Sequence, residues 1–186
     1  MELIEVLKTA PIPLGIWPPQ PHDPLGQLAF RTEILHKFGG YVESAYAIRE
    51  QTKTLLGKRR LLSDRDESIT TRLDTLFRKH NDEPPNAAVY AISNVFRHAI
   101  RPDTISTETK ATMSEGVTTS LTVTVSIGMA GLTSGQGWTR AAKEYVGQDG
   151  LVELWPLIEA HLLSLSELVT VVTTSVHTEY RSTGRR

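Results

Sequence analysis

The chain has no cysteine. That excludes disulfides, thiol nucleophiles and cysteine-based zinc or iron–sulfur sites, and it fits a reducing, cytoplasmic setting. It also lacks an excess of either charge. Lysine and arginine number 20 against 21 aspartates and glutamates, a formal net charge of −1, so no bulk polycation is on offer to nucleic acid. A nucleic-acid role then needs a local basic patch, or one assembled in a dimer. No clean apolar run spans a bilayer: the best stretch, 151–176, is interrupted by Glu153, Glu159, His161 and Glu167. Met1 to Lys8 (MELIEVLK) lacks the basic start and apolar run of a secretion signal. The phosphate-loop ending GKS or GKT is missing, as are a GxSxG elbow and an HExxH pair. His22, His36, His80, His98, His161 and His177 are scattered and read as structural, with no metal site and no cofactor expected.

What is there is enough for one domain of 186 residues. Residues 10–24 hold six of the ten prolines, which makes 1–24 an extended strap pinned to the body by Ile16 and Trp17. The body is 25–180, and 181–186 (RSTGRR) reads as a frayed tail. Leu28, Ile34, Leu35, Phe38, Val42, Tyr46 and Ile48 recur at helical steps, predicting a helix over 24–57 with Gly57 as its stop. Gly39-Gly40 in its middle predicts a kink or a close approach by a neighbour. A second helix starts at the N-cap Ser63, with Asp66 and Glu67 in its first turn and Ile69, Leu73, Leu76 and Phe77 buried. Asn86 is expected to cap a third helix over 87–100, closed by Pro102.

From Thr104 the period changes. SLTVTVSIG alternates Leu121, Val123, Val125 and Ile127 with Ser120, Thr122, Thr124 and Ser126, and Ser114-Glu115-Gly116 is turn-like. This predicts a β-hairpin over about 104–128. A lone hairpin is marginal, so it must pack on the helices or complete a subunit interface. A short helix, 138–146, and a long last one from Pro156 to about His177 follow. The expected fold is mainly α: a bundle of four to five helices with an inserted β-hairpin.

SNVFRHAIRP, Ser93 to Pro102, carries the chemistry. On a helix, Val89, Ile92, Phe96 and Ala99 face the core, while Tyr90, Asn94, His98 and Arg101 line another side, with Arg97 beside them. An imidazole moves protons near neutral pH and a guanidinium holds phosphate. That pairing suits metal-independent cleavage of a phosphodiester by its ribose hydroxyl. The other reading is a solvated helix end whose cations suit the dipole. Lys58-Arg59-Arg60 likewise touches RNA backbone or caps the first helix. Arg31 and His36 have a similar separation, but five positions turn a helix by about 140°, so they do not share a face.

Asn94-Val95-Phe96-Arg97-His98, ending a helix after a helical pair, resembles the motif of HEPN (higher eukaryotes and prokaryotes nucleotide-binding) domains. In that motif an arginine, usually followed by asparagine, aspartate or histidine, precedes a terminal histidine. The resemblance covers 25–180 in layout. It implies a helical bundle and a homodimer whose two motifs share one cleft, with RNA or a protein as partner. It implies His98 as acid or base, Asn94 as its orienter, and Arg97 or Arg101 as the phosphate holder. The departure is Ser93, which stands where the family's arginine belongs. The expectation is therefore a dimeric binding or scaffold module of a bacterial stress or defence type, with an active metal-independent endoribonuclease as the alternative.

Overall fold

The computed structural model of the chain describes residues 23–60, 67–99, 104–114, 117–129, 133 and 137–183. Residues 1–22 of the expected strap, Ser63, Asp66 and Arg101 lie outside these residues, and Pro24, expected to end the strap, opens a helix instead. Helix α1, Pro24–Arg60, starts where Asp23 accepts the Gly26 amide at 2.9 Å, with proline in a first-turn position that needs no donor. It buries Phe30, Ile34, Phe38, Val42, Ala45, Thr52 and Leu56. Leu28, Tyr46 and Ile48, expected in that stripe, are exposed instead. The stripe is set by Phe30 and Phe38, one turn either side of Ile34. The helix does not stop at Gly57, because Leu56 is anchored in a cluster with Leu73, Leu168 and Val172, and packing outweighs one glycine's propensity. The glycine pair does not break it either. Gly39 admits the Phe96 ring, and a Cβ there would stand 2.4 Å from Phe96 Cε1.

Helix α2 spans Glu67–Asp82 and α3 spans Pro84–Ala99. Leu73 of α2 is buried, with Leu76 and Phe77 packed beside it. Asn86 is not a cap. Pro84 and Pro85 open α3 without amide hydrogens to satisfy, which leaves the Asn86 side chain free to turn inward. α3 is the central element, packed by α1, α2, the short α4 (Arg140–Val146) and the last helix, α5 (Leu154–Thr183). Every residue from Asn86 to Ser93 is buried. Tyr90 is thus an inward residue, not part of an outer polar face, because α3 is surrounded and has no outer face there.

Strands β1 (Ile105–Ser114) and β2 (Val117–Gly128) form the expected antiparallel hairpin, with a register shift between Thr112 and Met113. A third strand, β3 (Leu151–Glu153), was not expected. It pairs with Ser126, Ile127 and Gly128, giving the order β1-β2-β3. Ile105, Val125, Ile127 and Val152 press this base onto the bundle core. Ser126, expected on the polar face, is buried there too. α4 is capped by Thr139, whose hydroxyl accepts the Ala142 amide at 3.2 Å. α5 runs to Thr183, past the expected end and into the expected tail. Its window Leu154–Ser175, mean hydropathy 1.3, is long and apolar enough to cross a membrane by length and composition. In the fold, Leu154, Leu157, Ile158, His161, Leu165, Leu168 and Val172 form one buried stripe, with Glu159, Ser166 and Glu167 outward, the pattern of a core helix.

Candidate functional site

α3 emerges from the core within one residue. Ser93 is buried, 8% exposed, and donates to the Tyr90 carbonyl at 2.8 Å. Asn94 is exposed. Gly137, at φ +94°, passes so close that a Cβ on it would be 2.9 Å from Asn94 Nδ2. A side chain at Gly137 is excluded twice, by the positive φ and by the amide beneath. Arg97 and His98 follow in the last turn of α3. Their side chains, like those of Lys58, Arg59 and Arg60 at the end of α1, lie outside the described residues, as does all of Arg101. Arg31 is half-buried and His36 exposed, so the second arginine–histidine pair does not share a face.

The structure assembles a different polar group one turn back along α3. Tyr90 Oη is 2.8 Å from His80 Nε2 and 3.3 Å from His161 Nε2. The other nitrogen of His161, Nδ1, meets the Tyr41 hydroxyl at 2.6 Å. The other nitrogen of His80, Nδ1, meets Ser164 Oγ at 2.8 Å, and Ser164 donates to Glu83 Oε2 at 2.8 Å. The two imidazoles are 6.0 Å apart, centre to centre. The four long helices supply these groups: Tyr41 from α1, His80 from α2, Tyr90 from α3, His161 and Ser164 from α5. Glu83 sits in the α2–α3 turn.

Asn86 fastens the Glu83 end. Its amide nitrogen has two hydrogens, and the nearest acceptors are the His80 carbonyl at 2.7 Å and Ser164 Oγ at 2.8 Å. Arg49 covers the side of the network, its guanidinium carbon 4.8 Å from the Tyr90 ring centre. Its Nε donates to Asn81 Oδ1 at 2.5 Å and its Nη1 to Glu50 Oε1 at 2.9 Å.

Burial governs the electrostatics. Loss of water holds His161 down to about 3, helped by the nearby His80. His80 is lowered by burial and by Arg49, with Glu83 opposing. Both imidazoles are neutral at pH 7. Burial also raises the Tyr41 and Tyr90 hydroxyls, so both stay protonated. The arrangement is not a hydrolytic triad: the carboxylate of Glu83 bonds to the serine rather than to the imidazole. What it offers is an unbroken series of groups that each donate and accept a proton.

Sequence reasoning took these histidines as scattered and placed Tyr90 outward. A signal was present. His161 falls within the stripe of Leu157, Ile158, Leu165 and Leu168, and Tyr41 stands between Phe38 and Val42. A titratable group in an apolar stripe must find a buried partner, but sequence does not say which. Among the described residues no group of three or more histidines and carboxylates is placed to hold a metal ion. No protein-family model, curated protein or solved structure matches this chain.

Proposed function

We propose that the chain is a HEPN-like helical binding module, dimeric, of a bacterial stress or defence type, whose motif surface serves contact with RNA or a protein rather than cleavage. Ser93 carries this reading. It occupies the position of the family's arginine, yet it is turned into the core and bonded to the Tyr90 carbonyl. A guanidinium aimed at a cleft from this position has no counterpart here. The near-zero net charge points the same way, since RNA affinity is largely electrostatic. The hairpin supports the dimer. β3 extends the sheet only at Ser126–Gly128, so beyond its base the hairpin is a two-stranded ribbon among the described strands, a form that gains from pairing with another chain.

The active alternative rests on Asn94, which is exposed where α3 emerges, with Arg97 and His98 in the next turn. In it His98 is the acid or base, and Arg97 or Arg101 holds the phosphate. Light scattering and incubation with total RNA plus EDTA, beside His98→Ala, decide between the two. A dimer without cleavage is the expected result. Cleavage in EDTA that His98→Ala abolishes would replace the binding reading with the enzymatic one. A monomer without cleavage would overturn both.

A further inference from the structure

The hydrogen-bonded groups between Glu83 and Tyr41 fit together head to tail in one sense when Asn86 gives its two hydrogens to the nearest acceptors, the His80 carbonyl and Ser164 Oγ, rather than to Glu83 Oε2 at 3.1 Å or His80 Nδ1 at 3.2 Å. The Glu83 carboxylate is an acceptor, so Ser164 donates to it at 2.8 Å. Ser164 Oγ must then accept from His80 Nδ1–H at 2.8 Å and from the Asn86 amide at 2.8 Å, which fills both lone pairs. A neutral His80 with its hydrogen on Nδ1 has a bare Nε2, which accepts the Tyr90 hydroxyl at 2.8 Å. Tyr90 oxygen in turn accepts from His161 Nε2–H at 3.3 Å, leaving His161 Nδ1 to accept the Tyr41 hydroxyl at 2.6 Å. Five bonds run head to tail from Tyr41 to Glu83. The middle of the series is dry: His80, Tyr90 and His161 are 3%, 6% and 0% exposed. Its two ends, Tyr41 and Glu83, are half-buried and reach the surface.

We propose that Tyr41, His161, Tyr90, His80, Ser164 and Glu83 form a reversible proton relay through the bundle, linking the α2–α3 turn to the Tyr41 hydroxyl. In the forward step five X–H bonds break: Tyr41 O–H, His161 Nε2–H, Tyr90 O–H, His80 Nδ1–H and Ser164 O–H. Five form: His161 Nδ1–H, Tyr90 O–H, His80 Nε2–H, Ser164 O–H and Glu83 O–H. Tyr41 regains a proton from water. Glu83 becomes a neutral acid, every hydrogen bond in the series reverses, and no imidazolium is created in the interior. The return step releases the proton at Tyr41. The charge state of Glu83 thereby sets the tautomer of His161, with which it has no contact. The carboxylate and guanidinium groups facing the series are Glu83 at its end and Arg49 over Tyr90. Arg49 opposes positive charge on His80, which favours transfer through neutral states.

The test is long-range ¹H–¹⁵N correlation of the imidazoles in the ¹⁵N-labelled protein, and it does not depend on the reading of the α3 end. At neutral pH the wild type is expected to show His161 as the Nε2–H tautomer and His80 as the Nδ1–H tautomer. In Glu83→Gln, whose uncharged end both donates and accepts, His161 is expected to lose its single tautomer and become a mixture. Tyr90→Phe combined with Glu83→Gln should abolish that response, because the shared hydroxyl is gone. Three results would overturn the relay: an Nε2–H His80 in the wild type, a His161 unmoved by Glu83→Gln, or a response that survives Tyr90→Phe.

Discussion

The middle of the bundle and the emerging end of α3 are built from the same functional groups. Each has an asparagine, imidazole and guanidinium: Asn86, His80, His161 and Arg49 in one; Asn94, His98 and Arg97 in the other. In the first, the groups come from four helices and are partnered at 2.5–3.3 Å. In the second, they follow one another along a single turn, and Asn94 is open to solvent. Residue type alone therefore does not assign a role. Burial holds the imidazoles of the first set neutral and locked, while the exposed Asn94 of the second is within reach of a partner.

The sharpest way to break this comparison is acid. His161 sits near 3 in the fold and 6.5 in an unfolded chain, and His80 is lowered too. A lowered histidine favours the neutral form, so its contribution is complete above about pH 6.5 and is lost as pH falls towards 3, where unfolding takes up protons. Denaturant unfolding at a series of pH values should lose several kcal/mol across that window. A flat profile between pH 6.5 and 4 would mean that the imidazoles are not held neutral.

Next in size is Gly39→Ala. Its Cβ would meet Phe96 Cε1 at 2.4 Å, and the ring is already edge-on to Phe38 at 6.0 Å. A cost of about 1–3 kcal/mol is expected in thermal or denaturant unfolding. Gly40→Ala meets nothing within 4 Å and should stabilise by about 0.5–1 kcal/mol through helix propensity. Adjacent glycines with opposite signs would confirm that only the first is there for packing. Smallest is Asn94→Ala. Exposed and outside the buried network, it should change stability by no more than about 0.5 kcal/mol, so any loss of RNA or partner binding in that variant is a surface effect.

Much of the fold was legible because its signals are local. Ile34, Phe38 and Val42 recur by four, and Val125 and Ile127 by two, so helix and hairpin could be read within short windows. β3 could not. Leu151-Val152-Glu153 is too short to announce a strand, and only pairing with Ser126–Gly128 makes it one. The site divides in the same way. Asn94, Arg97 and His98 were singled out because they lie within one short stretch of sequence. His80, Tyr90 and His161 were not assembled, because their proximity depends on how four helices cross. Tyr90 was placed outward on the assumption that α3 has a free side there, and a helix surrounded by four others has none.

The junction at Glu153 and Leu154 has a mechanical consequence. Strand becomes helix there with no linker, and on the strand side Met129 N donates to Gly150 O at 2.5 Å. A pull on the hairpin is carried through Ser126–Gly128 straight into the first turn of α5, which holds Leu154, Leu157 and Ile158 in the core. Whatever grips the ribbon therefore loads the helix that carries His161.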